Sequence, residues 1–274
     1  MELKPASQES IRNLIGVLKE NINLFSTNTD EFITFLKGLK IYLECETLLS
    51  FKELLNFEIR LIEYNILVNL SILDFSTLLK LYLNPETRYD QIYACKQFYI
   101  IINESYKKIY GFSSDINKSF WNKDISSIIS LYCPHLKNDH GVLKREIQHF
   151  IEDNFEDNEL LDKRNLAVHY DLEPSKVYSM SVNIDEDSIL KKSSTYSFLL
   201  HKTIMFSLSI FMELDKILSS KIDETLNKHT KIFEDWINEY RENEEAMRVI
   251  LEGKRRLINL KEEYELNIKT PNPK

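Results

Sequence analysis

A chain of 274 residues is long enough for one large domain or two small ones with a real hydrophobic core. A hydrophobic fraction of 43% beside 28% charged residues excludes global disorder, and only five Gly and six Pro argue against a fold of many strands and turns. The formal net charge of −8 excludes a general nucleic-acid coat, so any nucleic-acid role requires a local basic patch.

Taken in order, residues 7–25 place Ile11, Leu14, Ile15, Leu18, Ile22 and Phe25 at the three-four spacing of one apolar helix face. Ser26-Thr27-Asn28-Thr29-Asp30 is expected to break that helix and cap a second, carrying Phe32, Phe35, Leu36, Leu39, Tyr42 and Leu43. A stretch dense in Leu, Ile and Tyr runs from Ile59 to Leu83 and is stopped by Asn84-Pro85. The next helix is expected from Arg88 to Tyr110, with Gly111 at the C′ position and Ile92, Cys95, Tyr99, Ile102 and Tyr106 facing the core.

Phe112 to His140 is less regular, and Pro134 and Gly141 read as loop. Helices follow over 142–155 and 159–172, the second halted by Glu173-Pro174. Val177 to Ile184 alternates and is the one stretch of strand-like material. Ser193 and Ser194 are expected to cap an apolar helix through Leu218, and a charged helix follows from Lys221. Its rough apolar seam runs from Leu226 to Ile258, with Phe233, Trp236 and Tyr240 giving it an aromatic content that disfavours full exposure. That seam is either packed along the body or a dimer contact.

The fold class is therefore all-α. The expected division is an N-terminal helical pair over 1–58, a helical bundle over 59–220 and a long charged C-terminal helix with its tail over 221–274.

Cys45, Cys95 and Cys133 are an odd number without framework spacing. With no leader-like start, they are expected in a reduced, cytoplasmic protein. The sequons at Asn69, Asn103 and Asn117 then read as chance matches. No apolar run is expected to reach the length of a membrane span, and Thr203 to Met212, the most apolar window, suits a buried helix.

The chemistry concentrates in Lys163-Arg164-Asn165-Leu166-Ala167-Val168-His169-Tyr170-Asp171. On a helix Asn165 and His169, four apart, share a face, whereas Arg164 lies about 140° around the axis from His169. A guanidinium grips phosphate oxygens bidentately, an imidazole exchanges protons near neutrality, and an amide orients either. That set suits cleavage of a phosphate ester by base and cation. Catalysis in this arrangement requires Arg164 to curl toward the imidazole or a second subunit to complete the site.

Arg164 to His169 resembles the R-x4-H motif of the HEPN superfamily, in which a polar residue follows the Arg. The resemblance extends to Thr87 through Tyr93 leading a long helix, and to the apolar helix after the motif. It implies an all-helical bundle of four or five helices and a metal-independent endoribonuclease, dimeric, in toxin or phage-defence biology. By the resemblance His169 is the base that activates the ribose 2′-hydroxyl, Arg164 stabilises the scissile phosphate and Asn165 positions the groups. The products are a 2′,3′-cyclic phosphate and a 5′-hydroxyl. The implied partners are RNA, a second copy of the chain and an antitoxin or regulatory protein, with no membrane and no cofactor. One departure stands out. HEPN toxins paired with a nucleotidyltransferase antitoxin carry a tyrosine two positions after the histidine, whereas Tyr170 follows His169 directly and Asp171 holds that place.

Lys163, Tyr170 and Arg145 are the candidates for contacting RNA, by charge or by stacking. Asp90 and Glu104 fall on the helix expected over 88–110 and are candidates to orient Arg164 or His169, although Asp and Glu are mostly exposed helix carboxylates. Cys133, His135, His140 and His149 match no standard zinc spacing, and no metal is expected. The same motif also fits a non-catalytic HEPN-like module that binds a nucleotide or a partner protein, a reading favoured by the net acidity and Asp171.

Overall fold

With so few Gly and Pro to interrupt it, the chain spends its length in long helices. The computed structural model describes residues 5–43, 51–111, 119–155, 159–168, 175, 178–179 and 183–264. Its elements are α1 (Pro5–Leu43), α2 (Lys52–Leu83), α3 (Arg88–Tyr110), a π-turn (Trp121–Ile125) leading into α4 (Ser126–Tyr132), and a 3₁₀ turn (Pro134–Leu136) leading into α5 (Lys137–Phe155). Then come α6 (Glu159–Val168), α7 (Glu186–Glu239) and α8 (Glu244–Tyr264). The protein is all-α, with no strand among the described residues.

Three expectations about helix ends are corrected. The break at residues 26–30 does not occur, because the Thr29 hydroxyl donates to the Phe25 carbonyl at 2.7 Å and is satisfied inside α1. Ser193 and Ser194 lie within α7, whose start is set earlier by Asp185, its carboxylate accepting from the Ser188 backbone N–H at 3.0 Å. The alternating patch is helical at Tyr178 and Ser179, and the Asn183 N–H donates to the Ser179 carbonyl at 3.0 Å; 177 and 180–182 lie outside the described residues.

The ends of α3 follow the local chemistry. Thr87 and Asp90 form a reciprocal capping box, the Thr87 N–H donating to the Asp90 carboxylate at 2.6 Å. Gly111, at φ 81°, takes the positive-φ position after the last turn, and its N–H donates to the Lys107 carbonyl. Cys95, Tyr99, Ile102 and Tyr106 are buried as their spacing predicts, while Ile92 is half-buried.

The chain divides into two compact units, Met1–Asp30 with Glu63–Ile210 and Glu31–Ile62 with Phe211–Lys274. These units do not follow the expected division, since α2 and α7 run unbroken through residues 58–59 and 220–221. The first unit is built on aromatic packing. The Tyr106 ring contacts Tyr110, Phe150, Phe155 and Tyr196, and Trp121 packs edge-on to Tyr110. Two pairs of buried hydroxyls meet across this core, Tyr110 with Thr203 at 2.6 Å and Ser105 with Tyr196 at 2.9 Å.

In the second unit Phe32 and Phe35 meet Phe211 edge-on, and Leu39, Leu55, Leu61 and Leu214 are sealed from solvent. The expected single C-terminal helix is instead a hairpin. α7 ends at Glu239, the chain turns through Tyr240–Asn243, and the Asn243 carbonyl oxygen on its side chain accepts from the Ala246 N–H at 3.1 Å to start α8. Phe233 lies so close to Gly253 that an added Cβ would stand 2.9 Å from the ring, so the absent side chain lets the two helices approach.

α2 and α7 are long and apolar enough to cross a membrane by length and composition alone, against the expectation that no run would be. Polar residues such as Asn65 and Asn69 punctuate α2 and hide that length from a search for an unbroken apolar run. Asn69 and Asn103 are buried; Asn117 lies outside the described residues.

Candidate functional site

The motif helix α6 is docked on α3. The buried Asn103 side chain on α3 donates to the Leu160 carbonyl at 3.1 Å and to the Tyr99 carbonyl at 3.0 Å, tying the start of α6 to the middle of α3. Leu160 and Ala167 supply the buried face of α6. An amide in the middle of a helix is a poor choice for helix stability alone, but here it bridges two backbones.

On this docked helix the Arg164 guanidinium is held from two sides. One terminal nitrogen donates to the Glu104 carboxylate at 2.5 Å, and the other donates to the Asn165 side-chain oxygen at 3.0 Å. Its Nε is buried and unpaired. Glu104 is thus the α3 acid that meets the motif, and its side chain, like that of Arg164, is partly exposed at 38% and 23%. Because Asn165 holds the guanidinium, the arginine head is drawn toward the face of α6 that Asn165 occupies.

The remaining candidates fall differently. His169, Tyr170 and Asp171 lie outside the described residues. Asp90 lies in the α3 cap, where its carboxylate accepts from the Thr87 N–H at 2.6 Å, and it is Glu104 that bonds Arg164. The Lys163 ammonium sits over the Tyr99 ring, 5.3 Å from its centroid, which turns it toward α3. Arg145 is exposed on α5.

The Cys133 and histidine set is dispersed. Cys133 is buried, His135 is exposed, and His149 stands 3.4 Å from Glu152. His140 lies inside α5, not in a loop, with Gly141 also helical. Its ring stacks on Phe206 at 5.8 Å and meets Trp121 at 5.2 Å, and burial, followed by Lys144, lowers its pKa. Among the described residues no three His, Cys, Asp or Glu side chains gather as a metal site. Cys95 is buried and its thiol is pushed up to about 12 by burial, so it is no nucleophile.

A second concave feature had no motif to announce it. A groove of about 690 Å³ lies between α5 and α7, with Lys191, Lys192, Lys202, His149 and Phe198 among its lining residues. Lys202 donates to both oxygens of Glu146 at 2.7 and 2.8 Å and stands 4.8 Å over the Phe198 ring, which is 63% exposed. The groove's lysines and Phe198 all stand on α7, where 191, 195, 198 and 202 share one face at helical spacing, and α5 adds Glu146 and His149 opposite them.

Comparison of the chain with protein-family models, with curated proteins and with solved structures returned no match.

Proposed function

We propose that this chain is a metal-independent endoribonuclease of HEPN type. The observation that carries the reading is the Arg164 guanidinium, bonded to Glu104 on α3 and to Asn165 beside it on the docked helix α6. A fork so held is pre-oriented, and pre-orientation is what a cation needs to stabilise charge that develops on a phosphate during transfer. At helical spacing a residue four after Asn165 shares its face, so in this reading a base supplied by His169 belongs on the side toward which Arg164 is drawn. In this reading His169 takes the proton from the ribose 2′-hydroxyl and Arg164 neutralises the phosphorane oxygens. Attack of the 2′-oxygen on phosphorus breaks the bond to the 5′-oxygen, leaving a 2′,3′-cyclic phosphate and a 5′-hydroxyl. Lys163, Arg145 and Tyr170 serve as RNA contacts. The protein works in the cytoplasm as a homodimer in toxin or phage-defence biology, restrained by an antitoxin or regulatory protein.

The test is cleavage of single-stranded RNA by the purified full chain in the presence of EDTA. Chelator-resistant cleavage lost in both Arg164→Ala and His169→Ala is the expected result. Cleavage abolished by EDTA, or retained in both variants, overturns the mechanism.

A second reading, a non-catalytic helical module that binds a nucleotide or partner protein, has its own support. Glu104 already neutralises Arg164, the chain is acidic overall, and the α5–α7 groove offers cations beside an exposed aromatic ring. This reading expects nucleotide binding in that groove and no cleavage.

A further inference from the structure

The α7–α8 hairpin divides its charge along its length. Around its tip, residues 234–252 hold seven acidic side chains (Glu234, Asp235, Glu239, Glu242, Glu244, Glu245 and Glu252) against two basic ones, Arg241 and Arg248. Along its stem, residues 226–233 and 253–260 hold five basic ones (Lys228, Lys231, Lys254, Arg255 and Arg256) and no acidic one. All are exposed except Lys254, which is half-buried. The Phe233–Gly253 contact sets the register of the pair, so the residues 228–231 and 254–256 lie at a similar level, roughly 12–18 Å from the turn at about 1.5 Å per residue.

Apolar side chains accompany both bands. Trp236 and Tyr240, one turn apart on the same face of α7, are 44% and 40% exposed at the tip, and Val249, Leu251 and Ile258 on α8 are 63%, 50% and 47% exposed. Exposed aromatic groups next to opposed bands of charge form a surface that binds rather than one that merely dissolves.

We propose that this hairpin is a contact between two copies of the chain, packed antiparallel so that the acidic tip of each lies on the basic stem of the other. The two bands carry opposite net charges of equal size, five each, which makes the surface complementary to itself under a two-fold rotation. A parallel pairing sets tip on tip and stem on stem and is repelled at both ends. The two-fold arrangement makes each tip–stem contact twice, and Trp236 and Tyr240 of each copy are covered in the process. The contact does not depend on any ribonuclease activity, and it is the contact through which the proposed homodimer forms.

Sedimentation of the full chain at low micromolar concentration tests this. At about 0.1 M salt a dimer is expected, and at about 1 M salt its dissociation constant rises at least roughly tenfold as the charges are screened. Lys254→Glu/Arg255→Glu/Arg256→Glu in the stem, and separately Glu234→Lys/Asp235→Lys/Glu239→Lys in the tip, each give a monomer with unchanged helical circular dichroism. Mixed in equal amounts, the two variants form a heterodimer, since each then offers the charge the other lacks. A monomeric wild type at the lower salt, a dimer that survives either reversal, or a mixture that stays monomeric overturns the proposal. A monomer that binds polyanions through the stem gives the first of these results and reassigns the surface.

Discussion

The two compact units are stabilised in opposite ways. In the first, rings and hydroxyls interlock: Tyr106, Tyr110, Phe150, Trp121 and Tyr196 are sealed, and Tyr110 and Tyr196 each find a hydroxyl partner across the core. In the second, the hairpin leaves aromatic side chains half in solvent, and Glu58 is buried with neither carboxylate oxygen hydrogen-bonded. The difference teaches where to look for chemistry and where to look for partners. A tightly packed aromatic core can hold a small polar site such as Arg164–Glu104–Asn165 rigid at its edge. A thin hairpin with segregated charge gains most by association.

The largest effect should separate the two units at once. Trp121→Ala, at 2% exposure in the first unit, is expected to cost roughly 3–5 kcal/mol, whereas Trp236→Ala, at 44% exposure, costs under about 1 kcal/mol within the monomer. Urea unfolding of both variants measures the contrast, and equal losses would remove it.

Glu58 sharpens the comparison from the other side. Burial, and after it the nearby Asp215 carboxylate, raises the Glu58 pKa well above the ordinary value, so the folded side chain keeps a proton that the unfolded one loses. Stability therefore falls as pH rises from the usual carboxylate range toward the folded pKa. Glu58→Gln is expected to raise neutral-pH stability by about 1–3 kcal/mol and to flatten this slope, as read from thermal melts across pH. A variant with an unchanged slope shows that the carboxyl is ionised in the folded chain.

Smaller effects fall on the helix that carries the site acid. Thr87→Ala removes half of the α3 capping box and is expected to cost about 1 kcal/mol in chemical unfolding. Glu104→Gln breaks a partly exposed ion pair and is expected to cost about 1 kcal/mol or less. Its diagnostic reading is a double-mutant cycle with Arg164→Ala, in which the coupling should be positive and shrink in high salt.

Much of the fold was legible from local chemistry. Gly111 and Asn84-Pro85 carry their signals within a few residues, and each acts in the structure as its residue type predicts, whereas Asp90 reads in the sequence as a candidate site acid and its place in a capping box with Thr87 emerges only in the structure. Helix continuity was not legible. Thr29 reads as a cap until its hydroxyl is seen to bond Phe25, and Ser193 and Ser194 read as caps although Asp185 has already started the helix. The turn at 240–243 lacks both Gly and Pro, so only Asn243 marked it, and a three-four seam looks the same whether its helix runs on or folds back.

At the site, Arg164 and Asn165 stood out by residue type. The choice between Asp90 and Glu104 did not, because both are carboxylates on α3 and only the docking of α6 tells them apart. The α5–α7 groove was hidden for a related reason: Lys191, Phe198 and Lys202 share a face of α7, but only the packing of α5 beside that face makes a groove.

The central claim is that Arg164 and His169 drive attack by a ribose 2′-hydroxyl. It is tested most directly by presenting the full chain, with EDTA, an RNA that it cleaves and the same RNA carrying one 2′-deoxynucleotide at the cleaved position. The account expects the all-RNA strand to yield a 2′,3′-cyclic phosphate and the substituted strand to stay intact at that bond. Cleavage of the substituted strand at the same bond contradicts it.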